Sequence, residues 1–239
     1  PHPYKKKITS NKHIIMKTGF TITLAALLFF VQQALPAQNK DWAGFYRYEK
    51  ANAEVTAKPR AVLIGDSITD GWASKDPDFF TDNNLIGRGI SGQTSSQILV
   101  RVREDAIALS PKYLVILCGF NDIARNEGAA PDVAKAVGSI MSMCEIAKAN
   151  KVTPIVCSQL PSYSISWRPE ITDAYEQVLE FNKLLKAYAR KAHIKYVDYF
   201  NLLADKETGR IADSYSDDTV HPTLEGYKVM EEYLLKFLY

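Results

Sequence analysis

Short runs of consecutive apolar residues recur along the chain, and longer polar-containing segments separate them. The runs lie at 61–64, 85–90, 113–117, 154–157 and 194–197. Unbroken apolar runs, as opposed to strict alternation, are typical of strands that are covered on both faces, as in a parallel sheet. The pattern therefore predicts about five buried strands, of which the run 113–117 (YLVIL) has the clearest strand character.

The segments between these runs carry apolar residues at every third or fourth position, which predicts helices packed on one side. The predicted helices cover 41–55, 95–109, 131–150, 171–191 and 223–238. The first of them is expected to pack outside the sheet. Because strands and helices alternate without a repeat or a linker, we predict one α/β domain over 38–239, a doubly wound parallel sheet between two helical layers.

The N-terminal 37 residues have a different pattern. A basic start leads into the apolar run 20–31, and the small residue Ala37 follows. This order is typical of a secretory signal, and the run is shorter than the roughly 20 residues that cross a bilayer. We therefore assign 1–37 to an N-terminal extension and signal peptide, and expect export to the periplasm or beyond without a stable membrane anchor. A buried or amphipathic N-terminal helix is the alternative.

Composition narrows the class of protein. Hydrophobic residues make up 46% of the chain and charged residues 23%, which excludes a disordered chain. The net charge is +2, but residues 1–37 contain five Lys and no acid. The remainder is slightly acidic and has no basic run, so no nucleic-acid partner is expected.

In doubly wound sheets, ligand sites form where strands end at their carboxyl edge. The segment GDSITDGW follows the first apolar run and places Ser67 at a predicted tight turn into a short helix. Its hydroxyl would be exposed there and its N–H unpaired, at the positive end of the helix dipole. Such a placement suits a nucleophile, although a serine that only caps the helix is the alternative.

An aspartate and a histidine precede the last predicted helix. Asp218 and His221 are three residues apart, so the carboxylate can orient the imidazole and leave its other nitrogen free as a general base. His221 is the best candidate base, because His2 and His13 fall in the N-terminal extension and His193 follows a basic helix end. A capping Asp beside a surface His is the alternative.

Two more polar loops follow the second and third runs. Gly92 lies in GISGQT, where a glycine lets backbone N–H groups approach a ligand, and Asn121 lies in GFND, where its amide is a neutral donor suited to a developing oxyanion. Taken singly, a simple turn and an Asn-Asp helix cap explain them equally well. The sequence has no HExxH motif and no ligand-spaced cluster after residue 37, so we expect no metal and no cofactor.

The order GDSITDGW, GISGQTS, GFND and DTVH closely resembles that of the SGNH (GDSL-type) hydrolases, over roughly residues 62–222. The resemblance implies a flavodoxin-like SGNH hydrolase fold, Ser67 as nucleophile, His221 as base and then acid, and Asp218 as its partner. It also implies an oxyanion hole made by the N–H groups of Ser67 and Gly92 and the Asn121 amide. The family commonly has Asp where Gln93 stands, which is not a catalytic position.

The loop 161–169 follows the fourth run and should border the same cleft. Tyr163 and Trp167 could stack on a sugar and Arg168 could meet a carboxylate, although a loop packed on its own aromatics is the alternative. Together with export, the resemblance suggests a bacterial carbohydrate O-deacetylase, a serine esterase acting on a small-molecule or oligosaccharide ester with a short acyl group. The competing hypotheses are a lysophospholipase or thioesterase of the same fold, a non-catalytic glycan-binding module, and an acyltransferase.

Overall fold

A five-stranded parallel sheet forms the centre of the structure, a computed structural model that describes residues 41–128 and 132–239. The strands are β1 Ala61–Gly65, β2 Leu85–Gly89, β3 Tyr113–Leu117, β4 Thr153–Cys157 and β5 Lys195–Val197. Their order in the sheet is β2-β1-β3-β4-β5, and every neighbouring pair is parallel. The predicted doubly wound α/β fold is confirmed. The predicted extension and signal, 1–37, lies outside the described residues.

Helices connect the strands and cover both faces of the sheet. The α-helices of the described residues are α1 Glu49–Ala53, α2 Ser67–Lys75, α3 Pro77–Asp82, α4 Ser95–Asp105, α5 Phe120–Ile123, α6 Val133–Ala149, α7 Ala174–Lys191, α8 Tyr199–Leu203 and α9 Leu224–Leu238. The predicted helix 95–109 ends early and continues as a 3-10 turn, Ile107–Leu109. Within the two described ranges, no helix has both the length and the apolar character that crossing a bilayer requires.

Alternate side chains of each strand point to opposite faces, so every strand contributes to two hydrophobic layers. Val62 and Ile116 pack with α4, α6 and α7 on one face. On the other face, Leu63 packs with α2, α3, α8 and α9 around the buried Trp72. The Trp72 ring stacks on those of Phe79 and Tyr227, with centroids 5.7 and 5.5 Å away. Both faces are therefore buried, as the unbroken apolar runs predicted.

The prediction of one helix over 41–55 is wrong. The segment forms a 3-10 turn, Phe45–Arg47, and then the short helix α1. Side chains of α4 and of the loop before it bind its backbone, since Gln97 donates to the Trp42 carbonyl at 2.8 Å and Gln93 to the Ala43 carbonyl at 2.7 Å. These carbonyl oxygens accept tertiary hydrogen bonds, so the segment lies along the loop after β2 instead of forming a regular helix.

The sheet brings three loops together at one edge. The last residue of β1, Gly65, is in register with Gly89 of β2 and with Leu117 of β3. β2 and β3 lie on opposite sides of β1, so the connections from β1 to β2 and from β2 to β3 run in opposite directions and a crevice opens between the loops that follow β1 and β3. The motifs that contain Ser67, Gly92 and Asn121 begin on these three loops.

Gly119, which joins β3 to α5, is expected to tolerate no side chain. Its φ of +125° is strained for other residues, and a Cβ there would lie 2.5 Å from the Phe181 ring. We expect Gly119→Ala to lower the free energy of unfolding by about 2–4 kcal/mol. Gly138→Ala is the matched control, because Gly138 lies in α6 with nothing within 4 Å of the added Cβ, and should gain about 0.5–1 kcal/mol. Urea unfolding measures both, and equal midpoints for the two variants would contradict this account.

Candidate active site

Ser67 begins α2 immediately after β1, as the sequence predicted. The preceding residue, Asp66, is the helix N-cap, and its Oδ1 accepts a hydrogen bond from the Ile68 amide at 3.1 Å. The first amides of a helix have no partner within it. Among the described residues, the Ser67 amide has no hydrogen-bond acceptor. The turn therefore presents both a hydroxyl and a free N–H at the carboxyl edge of the sheet.

His221 joins Ser67 to Asp218 across 154 residues of chain. The Ser67 Oγ lies 2.8 Å from His221 Nε2, and His221 Nδ1 lies 2.6 Å from Asp218 Oδ2. Both residues of the pair lie on the loop that precedes α9. The structure thus connects a hydroxyl, an imidazole and a carboxylate in series, an arrangement that can move a proton from the serine to the ring.

The backbone around Asp218 holds its carboxylate in place. Oδ1 accepts hydrogen bonds from the amides of Val220 and His221, at 2.9 and 2.7 Å. Partial burial opposes ionisation of Asp218, but the hydrogen bonds from the His221 ring and these amides outweigh it and lower its pKa. The carboxylate therefore remains charged at neutral pH and can orient the imidazole and stabilise its protonated form.

On the other side of Ser67, hydrogen bonds fix the Asn121 side chain. Its Nδ2 donates to the Gln93 carbonyl at 3.1 Å, and its Oδ1 accepts from Asn126 Nδ2 at 2.7 Å. Asn126 Nδ2 also donates to the Gly92 carbonyl at 3.1 Å. Gly92 has a φ of +82°, and its own amide has no acceptor among the described residues. The second hydrogen of the Asn121 amide and the Gly92 N–H are thus available to a ligand.

Asn126 is a residue that the sequence analysis missed. It bridges the two loops that carry Gly92 and Asn121, although it lies four residues beyond the GFND motif. The sequence offered only an unremarkable asparagine in a polar loop. Its role depends on a contact across 34 residues, which no local pattern encodes.

A buried arginine ties the loops after β1 and β2 together. Arg101 of α4 is fully buried and donates to the carbonyls of Gly65 and Arg88, both at 2.9 Å, and to Gln93 Oε1 at 2.7 Å. Asp105 compensates its charge at 2.9 Å. Burial lowers the pKa of Arg101 and the ion pair opposes that effect. Gln93, which stands where the resembling family commonly has Asp, therefore supplies a neutral acceptor to this arginine.

The loop after β3 is attached to α4 through Asp122. Its carboxylate accepts hydrogen bonds from both the amide and the hydroxyl of Ser95, each at 2.8 Å. Ser95 is the first residue of α4, so a negative charge lies at the positive end of that helix. Burial raises the pKa of Asp122, and the Ser95 hydrogen bonds act against this shift. Asn121, the preceding residue, is thereby anchored on the same side of the crevice.

Two of the three predicted substrate-binding residues lie beside this cluster. The Trp167 ring stacks on the His221 ring, with centroids 6.2 Å apart, and Arg168 lines a groove together with Gly92. Tyr163 is elsewhere: it packs on the hydrophobic layer around Trp72, with the Arg210 guanidinium 4.5 Å above its ring. The prediction that Tyr163 stacks on substrate therefore has no support in the geometry, because a cation already covers a face of its ring.

A protein-family model matches the part of the chain that carries the four motifs. The model of the GDSL-like lipase/acylhydrolase family matches residues 63–229, a span that includes Ser67, Gly92, Asn121, Asp218 and His221. A search of curated proteins found no match.

Solved structures match over most of the chain. A Bacteroides fragilis protein described as an acylhydrolase is 45% identical, with a TM-score of 0.80 over 84% of this chain and 98% of that one. A GDSL-like lipase from Bacteroides thetaiotaomicron is 43% identical, with a TM-score of 0.79 over 83% and 98%. A mutant of an acetyl-xylooligosaccharide esterase from Geobacillus is similar in fold, at 18% identity and a TM-score of 0.58 over 77% and 95%.

The carboxyl group of Asp66 should make the stability of the protein depend on pH. It is buried beside Ser67, its Oδ2 has no hydrogen-bond partner among the described residues, and burial raises its pKa to about 7. In the unfolded chain an aspartate titrates near pH ~4. Between about pH 4 and 7 the folded protein therefore retains a proton that the unfolded chain releases, so this group makes the protein less stable as the pH rises.

Asp66→Asn should remove this dependence while keeping the helix cap. The variant should gain stability relative to the parent as the pH rises from about 4 to 8, by an amount of the order of 4 kcal/mol. Urea unfolding at several pH values measures the difference. Asp82→Asn, at the exposed end of α3, is the matched control. A difference between Asp66→Asn and the parent that stays constant with pH would contradict the assignment.

Proposed function

We propose that this chain, which belongs to the GDSL-like lipase/acylhydrolase family and hydrolyses ester bonds, is a serine esterase that removes short acyl groups, acetyl above all, from carbohydrates. The observation that carries the mechanism is the series of hydrogen bonds from Ser67 through His221 to Asp218. It joins residues from opposite ends of the matched family region, in the order that acyl transfer requires.

In the first half of the reaction, Ser67 Oγ attacks the ester carbonyl carbon and transfers its proton to His221 Nε2. The new Oγ–C bond creates a tetrahedral oxyanion, which the N–H groups of Ser67 and Gly92 and the Asn121 amide stabilise. The C–O bond to the alcohol then breaks, and His221 returns the proton to the departing oxygen. Asp218 holds the imidazolium while the proton is on the ring.

The second half repeats these steps with water as the nucleophile. His221 takes a proton from the water, whose oxygen forms a bond to the acyl carbon. The Oγ–C bond then breaks, the acid leaves, and the proton returns to Ser67. The overall products are one alcohol and one carboxylic acid, and no cofactor is needed to balance the reaction.

Three observations favour a short acyl group on a carbohydrate. Trp167 lies against the imidazole and makes a T-shaped contact with the Phe120 ring, with centroids 6.3 Å apart, so aromatic surface narrows the approach to Ser67. The Trp167 side chain remains 41% exposed, which leaves a face for a sugar ring. The similar fold of the acetyl-xylooligosaccharide esterase from Geobacillus supports the same chemistry.

We also propose that the protein is exported and that its partner is its ester substrate. The basic, apolar and small-residue order of 1–37 supports export to the periplasm or the outside, with no stable membrane anchor afterwards. The slightly acidic remainder supports a small-molecule or oligosaccharide ester as partner and no nucleic acid. N-terminal sequencing of the exported protein should begin near Gln38; a product that retains residues 1–37 would contradict the signal.

A panel of esters tests the activity. It contains acetylated xylooligosaccharides, p-nitrophenyl esters from acetate to octanoate, lysophosphatidylcholine and an acyl thioester, with released acid as the readout. We expect the acetylated saccharides and the shortest esters to give the highest kcat/KM, and Ser67→Ala to lower kcat about 10⁴-fold or more. Ser74→Ala, at an exposed position of the same helix, is the control and should retain activity.

The same panel separates the alternatives. Preference for lysolipid or thioester would favour the lysophospholipase or thioesterase hypothesis. Saccharide binding without release of acid from any ester would favour a glycan-binding module. Acyl groups recovered on an added sugar acceptor instead of as free acid would favour an acyltransferase.

The oxyanion donors allow a quantitative test with two asparagines. Asn121→Ala removes a donor and should lower kcat about 10²–10³-fold. Asn126→Ala removes only the side chain that orients Asn121 and Gly92, so we expect a smaller loss in kcat, about tenfold, with KM nearly unchanged. Steady-state kinetics with p-nitrophenyl acetate measure both, and a loss confined to KM in Asn126→Ala would contradict the positioning role.

A further inference from the structure

A groove leads from the proposed oxyanion hole to the start of the described chain. It has a volume of about 440 Å³, within the ~300–1,000 Å³ that small-molecule pockets span. Its lining includes Ser91 and Gly92 of the loop after β2, which we call the loop wall, Trp42 and Tyr46 of the segment 41–48, which we call the N-terminal wall, and Arg168. Because Gly92 lines the groove, a ligand bound in it lies beside one of the proposed oxyanion donors.

The N-terminal wall of the groove is fixed to the catalytic loops. Gln93 and Gln97 bind the carbonyls of Ala43 and Trp42, and the Tyr48 hydroxyl binds the Gly89 carbonyl. These bonds join the segment to the end of β2, to the loop that carries Gly92 and to the first turn of α4. The wall therefore does not depend on its own secondary structure to keep its position, and it is held relative to the oxyanion hole.

Asp70 of α2 makes a further connection. Its carboxylate accepts a hydrogen bond from Ser91 Oγ at 2.8 Å and forms an ion pair with Arg47 at 3.6 Å. The helix that begins with Ser67 thus contacts both walls of the groove. These contacts preorganise the groove before a ligand binds, which lowers the entropic cost of binding.

Two aromatic side chains on this wall remain unusually exposed. Trp42 is 45% exposed and Tyr46 73% exposed. No ring stacking involves either of them among the described residues. Packing of the fold does not explain large aromatic rings left facing a groove, and such residues typically mark binding sites.

Resting on the proposed function, we infer that this groove binds the sugar chain of the ester, with Trp42 and Tyr46 stacking on successive rings while the acylated hydroxyl reaches Ser67. The segment 41–48 would then bind the alcohol side of the substrate. The enzyme should therefore distinguish an oligosaccharide from a single sugar.

The charges of the groove favour a neutral, hydroxyl-rich ligand. Asp41, Glu127 and Arg168 line it, a formal charge of −1, so the groove does not select an anionic ligand. The carboxylates of Asp41 and Glu127 and the hydroxyls of Tyr46 and Ser91 also line the groove and can exchange hydrogen bonds with the hydroxyls of a sugar. A long alkyl chain would bury these polar groups without partners, which costs free energy.

The test compares chain lengths in kinetics. Acetylated xylose and acetylated xylotetraose are the substrates, and the readout is the ratio of kcat/KM for the tetrasaccharide to that for the monosaccharide. In the parent this ratio should exceed one. In the Trp42→Ala/Tyr46→Ala double variant it should fall about tenfold. The Trp42→Phe/Tyr46→Phe variant keeps an aromatic ring at both positions, so its ratio should be close to that of the parent. Tyr239→Ala changes an equally exposed ring outside the groove and should leave kcat/KM unchanged for both substrates.

A second measurement needs no variant of the groove. Unacetylated xylotetraose should inhibit p-nitrophenyl acetate hydrolysis competitively, and xylose at the same concentration should inhibit less. If the parent releases acetate from both saccharides with equal kcat/KM and xylotetraose does not inhibit, the groove inference is wrong while the proposed function stands. If the parent releases no acetate from any saccharide, the proposed substrate and the groove inference both fail.

Discussion

The crevice depends on one charge that water does not reach. The Arg101 guanidinium bonds the carbonyl oxygens of Gly65 and Arg88 and the side chain of Gln93, so the ends of two strands and the loop after β2 share a single cation. Asp105 compensates the charge in the same buried space. Removing one member of such a buried pair typically costs about 3–5 kcal/mol, because the other charge remains without a partner. The loops are therefore held in one arrangement.

That arrangement lets each element of the site be rigid before substrate arrives. Ser67 is placed by the start of a helix, and Asn121 by two hydrogen bonds to neighbouring loops. His221 lies on a loop that is distant in sequence, before α9. Asp218 orders this loop by accepting hydrogen bonds from the backbone amides of Val220 and His221. Donors fixed in advance need no reorganisation as charge develops, which is the main source of electrostatic stabilisation in acyl transfer.

The polar groups that stabilise the loops and those proposed to act on substrate lie together at the carboxyl edge of the sheet. Asp66 caps the helix that begins with Ser67, yet one of its buried oxygens has no partner among the described residues, and its raised pKa reflects that burial. Asp122 anchors the adjacent loop through Ser95. The carboxyl edge of the sheet thus combines buried carboxyl groups with free amides, whereas the hydrophobic layers supply most of the packing. Substitutions at this edge should consequently affect stability and turnover together.

The sequence by itself determined the doubly wound fold and the loops that carry Ser67, Gly92, Asn121 and His221, because apolar runs and motif order are local and periodic properties. It failed for 41–55, where tertiary hydrogen bonds override a helical pattern, and its periodicity could not show which neighbours the Tyr163 ring contacts. Only the tertiary structure decided the joining of Ser67 to His221, the bridging by Asn126 and the groove beside Trp42. Each of these depends on contacts between distant segments, whose geometry arises when the strands align.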